Sequence, residues 1–259
     1  MRRTLWVLTL ATILPFYANA VRLLAFEEPP SSYRNQNLRP EGYVIDIAKS
    51  LMEKTGQAYS IEFVPEARAY KIAEQTGAVL LGISQTKLRL HRFFWIGKIA
   101  EKNWEIYMRK DSPYQVNSIS DLKKLTTLGV VRGDVREDFF LQRNFTNLIS
   151  VTHHEQNIRK LLMDRIDAFA YERQGVLYQA HRLNMDIANI QPVLSINKSS
   201  VYIAMPAKSE LAPLFETLHK GYVAIKDSGQ LLQNSVYWQG RLQQQHGISS
   251  QIKDAVLVF

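Results

Sequence analysis

A basic stretch in the first half of the chain has residue types that are suited to binding an anion. It reads ISQTKLRLHRFFW over residues 83–95, and it follows the apolar run 78–81 with only Gly82 between them. The guanidinium group of Arg89 or Arg92 can pair two oxygens of a carboxylate or phosphate at once, and it stays charged at any relevant pH. The same stretch would also suit nucleic acid, a membrane surface or plain solvent. The remainder of the sequence has to distinguish these cases.

Two adjacent histidines, His153 and His154, are of a type that binds metal ions. The chain has no cysteine, and no third ligand stands at a metal-site spacing from these histidines. We therefore predict structural or surface histidines, no metal site and no cofactor. The sequence also has no G-x-S-x-G, P-loop or H-E-x-x-H motif, so no residue pattern predicts catalysis.

The N-terminal segment has the features of a secretory signal peptide. Two arginines precede the apolar run 5–17, and Ala18 and Ala20 are small residues at the two positions that a signal peptidase reads. The run is shorter than the roughly 20 apolar residues that span a bilayer. We expect cleavage after Ala20, so that residues 21–259 form an exported, soluble, periplasmic protein.

The charge of the chain limits the partners that can be expected. Its 32 lysines and arginines exceed its 24 acidic residues, and the formal net charge is +8. Such a surplus favours anions, but the basic residues are spread along the chain instead of forming a tail, and export argues against nucleic acid. Because the chain has no cysteine, its stability has to come from an apolar core, which a chain of 259 residues can supply.

The apolar pattern predicts strands and helices in alternation. Apolar residues recur at i, i+3, i+4, i+7 and i+8 from Val44 to Met52, which is one face of a helix that Gly56 would end. Two separate alternating series imply an α/β fold with two parallel or mixed sheets covered by helices. The predicted strands are 21–26, 59–64, 78–83, 104–109, 128–131, 148–151, 166–171 and 201–205. The predicted helices are 44–52, 67–75, a segment beginning at Ser120, 136–143, 155–164, 211–226 and 230–238.

Six short motifs resemble those of one protein family in order and spacing. They are Glu28–Tyr33 (EPPSSY), Glu41–Ala48 (EGYVIDIA), Ile83–Arg89 (ISQTKLR), Asp121–Lys123 (DLK), Gly129–Gly133 (GVVRG) and Asp164–Ala168 (DRIDA). This series is similar to the family 3 solute-binding proteins, the bacterial periplasmic receptors for polar amino acids and similar small solutes. The resemblance extends from near Glu27 to Trp238.

The resemblance implies the two-lobed α/β fold of the type II periplasmic binding proteins. In that fold two βα sheets are joined by two crossing strands, and the ligand lies in a cleft that a hinge motion closes. We expect the crossings near 104–109 and 199–205. This assigns residues 21–106 and 203–259 to the first lobe and residues 107–202 to the second.

The resemblance also implies which residues contact the ligand. Arg89 aligns with the arginine that clamps the ligand carboxylate, and Ser84 and Thr86 stand where hydroxyl groups hold the second oxygen. Glu172 stands at the position of an aspartate that accepts the α-ammonium group, so that Glu172 and Arg89 would bind a zwitterion from both ends. Taken alone, Ser84 and Thr86 are also ordinary turn residues, and Glu172 also suits the start of a helix, where the dipole favours a carboxylate.

Further candidate contacts lie in neighbouring loops. Arg132 and Asp134 flank Gly133 at a turn between a strand and a helix, where backbone N–H groups can receive an anion. Many amino-acid receptors have serine or threonine after that turn, and the negative charge of Asp134 would oppose an incoming carboxylate. This departure favours either a cationic group on the ligand or a different pose. Glu27 and Arg68 are the predicted contacts in the wall of the first lobe.

Other residues near these motifs have less support from the resemblance. Lys87, His91 and Arg92 are predicted to face solvent, and the two tryptophans of this region are predicted to be core residues. The remaining candidates for the wall of the first lobe are Glu28, Tyr33, Glu66, Trp95 and Trp104.

The function implied by the resemblance is capture of a small polar, amino-acid-like solute for ABC-type uptake through a membrane permease. We expect a monomer without enzyme activity. One alternative is a secreted dehydratase-like enzyme on the same fold, in which a carboxylate acts as general acid and a basic cleft holds two substrate carboxylates. A second alternative is a ligand-sensing module whose closed form docks on a membrane receptor.

Overall fold

The structure, a computed structural model, describes residues 20–259 and has strands and helices in alternation, as predicted. The predicted signal peptide, apart from Ala20, lies outside the described residues. The strands are β1 Val21–Ala25, β2 Tyr33–Arg34, β3 Pro40–Glu41, β4 Tyr59–Phe63, β5 Val79–Ser84, β6 Phe93–Arg109, β7 Leu128–Val131, β8 Leu148–Val151, β9 Ala168–Glu172, β10 Ile190–Pro206, β11 Gln251–Lys253 and β12 Val256–Val258. The helices are α1 Tyr43–Thr55, α2 Glu66–Thr76, α3 Val135–Leu141, α4 His154–Leu162, α5 Arg173–Arg182, α6 Ala212–Asp227 and α7 Gln230–His246, with 3₁₀ turns at Asp121–Lys124 and Ser209–Leu211.

The main strands form one hydrogen-bonded path in the order β4-β1-β5-β10-β6-β9-β7-β8. At one end β1 pairs in parallel with β4 and β5, and at the other end β7 pairs in parallel with β8 and β9. We call the part built on β1, β4 and β5 with α1, α2, α6 and α7 the first lobe. The part built on β7, β8 and β9 with α3, α4 and α5 is the second lobe. The two-lobed α/β architecture predicted from the sequence is therefore confirmed.

Strands β6 and β10 run through both lobes. They pair antiparallel over their whole length, from Phe93 opposite Pro206 to Arg109 opposite Ile190. In the first lobe β10 also pairs with β5, and in the second lobe β6 also pairs with β9. The register between β6 and β10 shifts at several points, and such bulges bend and twist a ribbon locally. Any motion of one lobe relative to the other therefore has to bend this ribbon.

Each lobe has an apolar core that holds the strand ends in place. In the first lobe α1 buries Val44, Ile47 and Leu51 against the sheet, and Gly56 ends the helix in the left-handed conformation at a φ of 64°. In the second lobe Val130 and Phe140 belong to a separate core. No helix in the described part of the chain is both long and apolar enough to cross a membrane.

The structure differs from the sequence prediction in a few elements. The predicted strand 104–109 is only the second part of β6, whose first part does not alternate strictly between buried and less buried residues, so no period of two marks it. The helix predicted from Ser120 is a single 3₁₀ turn. Helix α5 and the β11–β12 hairpin were not predicted. Within α5, Gly175 breaks the apolar pattern because Tyr171 packs where a side chain would lie.

Candidate functional site

Ionisable side chains from both lobes and from β6 meet in the space between the lobes. They are Glu28, Glu66, Lys102, Asp134, Arg136, His154 and Glu172, and we call these residues the central cluster. Most of them lie just after a strand or in the first turn of the following helix. This is the edge at which open α/β sheets customarily bind ligands.

Asp134 positions the side chain of Arg136. As the N-cap of α3, Asp134 accepts a hydrogen bond from the Arg136 backbone N at 2.6 Å, which is the usual role of aspartate at a helix start. Its Oδ1 also accepts from Arg136 Nε at 2.7 Å, and its Oδ2 pairs with Nη2. A contact between near neighbours in the sequence therefore directs a guanidinium whose side chain is only 2% exposed.

The Arg136 guanidinium bridges the lobes. Nη1 donates to Glu172 Oε1 at 2.6 Å within the second lobe, and Nη2 donates to Glu28 Oε1 at 3.0 Å in the first lobe. Lys102 Nζ, on β6, donates to Glu28 Oε2 at 2.8 Å and lies 3.5 Å from Glu172 Oε2. Two cations thus share these carboxylates, and such pairing is what makes buried charges tolerable.

Almost no free volume remains at the centre of the cluster. The cavity there measures about 10 Å³ and is lined by cluster residues together with Phe26, Gly82, Ser84 and Val135. A cavity of that size holds about one water molecule. A solute therefore has to displace Arg136 or bind beside the cluster.

Glu28 and Asp134 carry fixed negative charges. Burial would raise the pKa of Glu28, but the charges of Lys102 and Arg136 outweigh burial and lower it. Burial would likewise raise the pKa of Asp134, but Arg136 lowers it to about 2. Both groups are carboxylates at neutral pH, and they balance the charges of Lys102 and Arg136.

The pKa values of the other two carboxyl groups of the cluster, Glu66 and Glu172, are raised. Burial raises the pKa of Glu172 to about 7, although Arg136 and Lys102 act to lower it. Burial raises the pKa of Glu66 well above its usual range, and the charge of Asp134 adds to the effect. Burial therefore favours the protonated form of Glu66, and Glu172 is close to its midpoint at neutral pH.

His154 is neutral in this environment. Burial and the charge of Arg136 lower its pKa to about 3. Its ring stacks on Tyr171 with 3.8 Å between the centroids and 6° between the planes. His154 therefore adds no positive charge to the cluster at neutral pH.

Three residues of the cluster have the geometry of a cation site. One ligand atom each of Glu28, Asp134 and His154 lie within 4.8 Å of one another. Arg136 Nη2 bonds both carboxylates and lies 3.3 Å from His154 Nε2. The guanidinium therefore stands where these residues could otherwise hold a metal ion.

Arg89 lies beside the cluster and connects the lobes a second time. Its side chain is 7% exposed, and Nη2 donates to Asp138 Oδ2 of α3 at 2.9 Å. Nη1 donates to Tyr70 Oη at 2.6 Å, and the guanidinium lies over the Tyr70 ring. Tyr70 Oη in turn donates to Glu66 Oε1 at 3.0 Å, which links Arg89 to the central cluster.

A larger cavity of about 400 Å³ opens next to Arg89, and we call it the basic cavity. Its charged lining residues are Lys87, Arg89, Arg92, Asp138, Arg143 and Lys198, and its uncharged ones are Gln85, Thr86, Leu88, Trp104, Val135, Phe139, Gln142 and Asn197. These residues come from the loop after β5, from α3 and from both crossing strands. Both lobes therefore contribute to its wall.

A third cavity, of about 90 Å³, lies near Glu28 and His154. Glu27 lines it, and Glu27 Oε1 accepts a hydrogen bond from Arg34 Nη1 at 3.0 Å. The three cavities together follow the junction of the lobes.

The structure brings most of the predicted ligand-binding residues to this junction. Ser84, Asp134 and Glu172 line the central cavity, Thr86 and Arg89 line the basic cavity, and Glu27 lines the third. Arg68 and Arg132 are exposed and line none of these three cavities.

Exposure separates the residues of the basic stretch as predicted. Arg89 is buried, whereas Lys87, His91 and Arg92 are exposed. Trp104 is a core residue, 1% exposed.

Sequence reasoning missed Arg136, Lys102 and the burial of His154. Arg136 is one of several charged residues in its helix, and Lys102 is one of three cations in β6, so no local signal marks either. The reason for expecting a cationic ligand also fails, because both oxygens of Asp134 are already bound by Arg136.

Comparisons with known proteins identify the architecture. No protein-family model matches the chain, and no curated protein matches it. Solved structures do match. A histidine kinase sensor domain with similarity to periplasmic binding proteins is 18% identical with a TM-score of 0.78, over 86% of this chain and 96% of that chain. A mutant of ArgBP from T. maritima is 15% identical with a TM-score of 0.73, over 88% and 96% of the two chains.

A third similar structure is the arginine-, lysine-, histidine-binding protein ArtJ from Geobacillus stearothermophilus. It is 17% identical with a TM-score of 0.72, over 87% of this chain and 98% of that chain. At these identities the likeness concerns the fold. The chain has the two-lobed α/β fold of the periplasmic binding proteins, as its resemblance to the family 3 solute-binding proteins predicted.

Proposed function

We propose that this protein is an exported solute-binding protein that captures a small amino-acid-like solute between its lobes. The observation that carries the proposal is the burial of charged groups at the junction of the lobes. Asp134, Arg136 and Glu172 of the second lobe are each at most 3% exposed, and Arg136 bonds Glu28 of the first lobe. Burying charges costs free energy even when they are paired. A chain that needed only stability would gain more from apolar residues there, so a recognition role is the better account.

Capture in this proposal is a change of lobe position about the ribbon of β6 and β10. In this proposal the contacts of Arg136 with Glu28 and of Arg89 with Asp138 form as the lobes close and break as they open. A solute that binds the closed form more tightly than the open form shifts the population toward it. No catalytic step is part of the proposal.

The predicted site residues keep their roles as proposals. Arg89 would clamp an acid group of the solute, with Ser84 and Thr86 beside it. An ammonium group of the solute would reach Glu172 only by displacing Arg136 or Lys102. For Arg68 and Arg132 the support is sequence position alone. On the basis of the family resemblance, we also propose that residues 21–106 and 203–259 form the first lobe and residues 107–202 the second. The N-terminal pattern supports a periplasmic location after cleavage of the signal peptide.

Calorimetry and thermal unfolding of the mature chain test the proposal. The panel contains amino acids, organic acids, short peptides and polyamines, and at least one solute should bind saturably and raise the unfolding temperature. Arg89→Ala should weaken that binding by more than about 2 kcal/mol, roughly 30-fold, because it removes a buried charged partner. Arg22→Ala is the matched control, since Arg22 is exposed and pairs only with Glu62. If no solute in the panel binds, the proposal is wrong.

Ligand sensing is the second candidate function. The histidine kinase sensor domain among the similar structures has this fold, and Arg136 of the second lobe bonds Glu28 of the first lobe without a solute. A form that closes without solute suits a two-state signal to a membrane receptor as well as delivery to a permease. Reconstitution with a candidate permease or receptor separates the two, since only the true partner should respond to the closed form.

A further inference from the structure

We propose that the solute is an acid: a small organic molecule with at least two anionic groups that binds in the basic cavity. The inference rests on the proposed function and narrows the class of solute. It departs from the arginine-, lysine-, histidine-binding protein among the similar structures, which takes cationic side chains.

Volume is the first argument. The basic cavity measures about 400 Å³, whereas the central cavity measures about 10 Å³ and the third about 90 Å³. Small-molecule sites typically occupy about 300–1,000 Å³. Of these three cavities at the lobe junction, the basic cavity alone reaches that range.

Charge is the second argument. Arg89 pairs with Asp138, and Arg92 pairs with Glu74. Within residues 20–259 no carboxylate lies at ion-pair distance from the other cations of the wall, Lys87, Arg143 and Lys198. Uncompensated positive charge in a concave wall concentrates anions. Because several cations of the wall lack a carboxylate partner, a solute with more than one acid group would pair with them best.

The central cluster cannot offer the opposite selectivity. Glu28 and Glu172 are shared between Arg136 and Lys102, and Asp134 is bound by Arg136. A cationic solute would therefore have to displace Arg136 or Lys102 to reach these three carboxylates. It would also meet the repulsion of the cations in the adjoining wall.

Trp104 and Phe139 supply the apolar part of the cavity wall. The Trp104 ring packs edge-on against Phe139 at 5.9 Å between centroids, and Trp104 is buried whereas Phe139 is half-buried. Phe139 can therefore contact the carbon skeleton of the solute, with Trp104 packed behind it.

Arg89 supplies the point at which the solute would couple to the lobes. Asp138, its partner in α3, has a side chain that is 45% exposed. An acid group of the solute can replace Asp138 on the guanidinium while Asp138 turns to solvent. The bond between the lobes is then made through the solute.

Isothermal titration with a charge-graded panel tests the inference. The probes are glutarate, L-glutamate, glycerol 3-phosphate, inorganic phosphate, L-glutamine and L-arginine. We expect saturable binding of a dicarboxylate or of the phosphate ester, and the one that binds identifies the acid group. Lys198→Glu and Arg143→Glu should each raise Kd at least tenfold, and both positions are exposed, so folding should persist. Lys226→Glu, on the exposed face of α6, is the charge-matched control and should leave Kd unchanged.

Different failures have different meanings. Binding of arginine or glutamine without binding of any acid overturns the inference but leaves the proposed function standing. Binding of inorganic phosphate as tightly as the organic acids also overturns it, since the cavity would then be only an anion patch. If no probe and no solute of the wider panel binds, both proposals fall.

Discussion

Arg136 in the second lobe donates a hydrogen bond from Nη2 to Oε1 of Glu28 in the first lobe, at 3.0 Å, across 108 positions of sequence. The same guanidinium is bonded to Asp134 and Glu172 on its own side of the junction. The chain therefore supplies a cation of its own at the junction of the lobes, and this cation is bonded to acidic groups on both sides.

Arg136→Ala should be strongly destabilising. It leaves the buried carboxylates of Asp134 and Glu172 without their main partner, and breaking a buried ion pair from one side costs about 3–5 kcal/mol. Urea unfolding measures the change. Arg132→Ala, an exposed arginine in the same turn, should change the free energy of unfolding by less than about 0.5 kcal/mol. Equal effects of the two substitutions would contradict the pairing described here.

Gly133→Ala should oppose closure of the lobes. A Cβ at Gly133 would lie 2.5 Å from the Ala67 Cβ and 2.6 Å from its Cα, in the first turn of α2. Gly133 also has a φ of 76°, so alanine adds backbone strain of about 1 kcal/mol. Small-angle X-ray scattering should show a larger radius of gyration for Gly133→Ala.

Gly229→Ala isolates the effect of the close approach. Gly229 has a φ of 79°, and no atom lies within 4 Å of the position that an alanine Cβ would take there. Gly229→Ala should lose a similar amount of stability to Gly133→Ala, but its radius of gyration should not change. If both variants scatter like the unmodified protein, α2 and α3 do not limit how far the lobes close.

His154 should make stability fall as the pH falls. Its pKa is lowered from 6.5 to about 3 in the folded protein. Between these two pH values the histidine binds a proton in the unfolded chain but not in the folded one. The unfolding equilibrium constant then grows by up to about tenfold per pH unit of acidification in this window. His154→Phe keeps a ring against Tyr171 and should flatten the dependence. His91→Phe, at an exposed histidine, should leave the slope as it is.

Glu172 should make stability fall as the pH rises. Its pKa is raised from 4.5 to about 7, so in that window the folded protein holds a proton that the unfolded chain has released. The contribution of Glu172 to stability is full below 4.5 and is lost as the pH rises through about 7. Glu172→Gln should therefore gain stability relative to the unmodified protein as the pH rises. Urea midpoints across the window measure this, with Glu216→Gln on exposed α6 as control; a constant difference between the curves would show that Glu172 is already ionised.

The elements of the fold were largely predictable because local patterns mark them. The helix from Val44 onward has a clear apolar face, and β5 and β7 are short apolar runs with turns behind them. The crossing ribbon was only partly predictable, since the first half of β6 does not alternate strictly. Helix α5 was not predicted because Gly175 interrupts its apolar pattern. Glycine is required at this position because the Tyr171 ring lies where a side chain would be.

The site was predictable only where a single residue carries a recognisable role. Arg89 could be separated from its basic neighbours by its position in a motif, and it is the buried one. The partnership of Lys102 with Glu28 spans 74 positions, and no local pattern encodes such a distance. Asp134 was misjudged for a related reason: its charge is cancelled by a residue two positions later, and only the side-chain directions show this.

The first lobe begins with the N-terminal strand of the described chain, yet it has to be among the last parts to be completed during synthesis. The edge of β5 at Leu80 to Ser84 is closed by Val201 to Ala204 of β10. Until that segment has been made, an apolar strand edge is open to pairing with other chains. We expect nascent chains that stop before β10 to be prone to aggregation, and the crossing ribbon thus sets the order in which the first lobe can be completed.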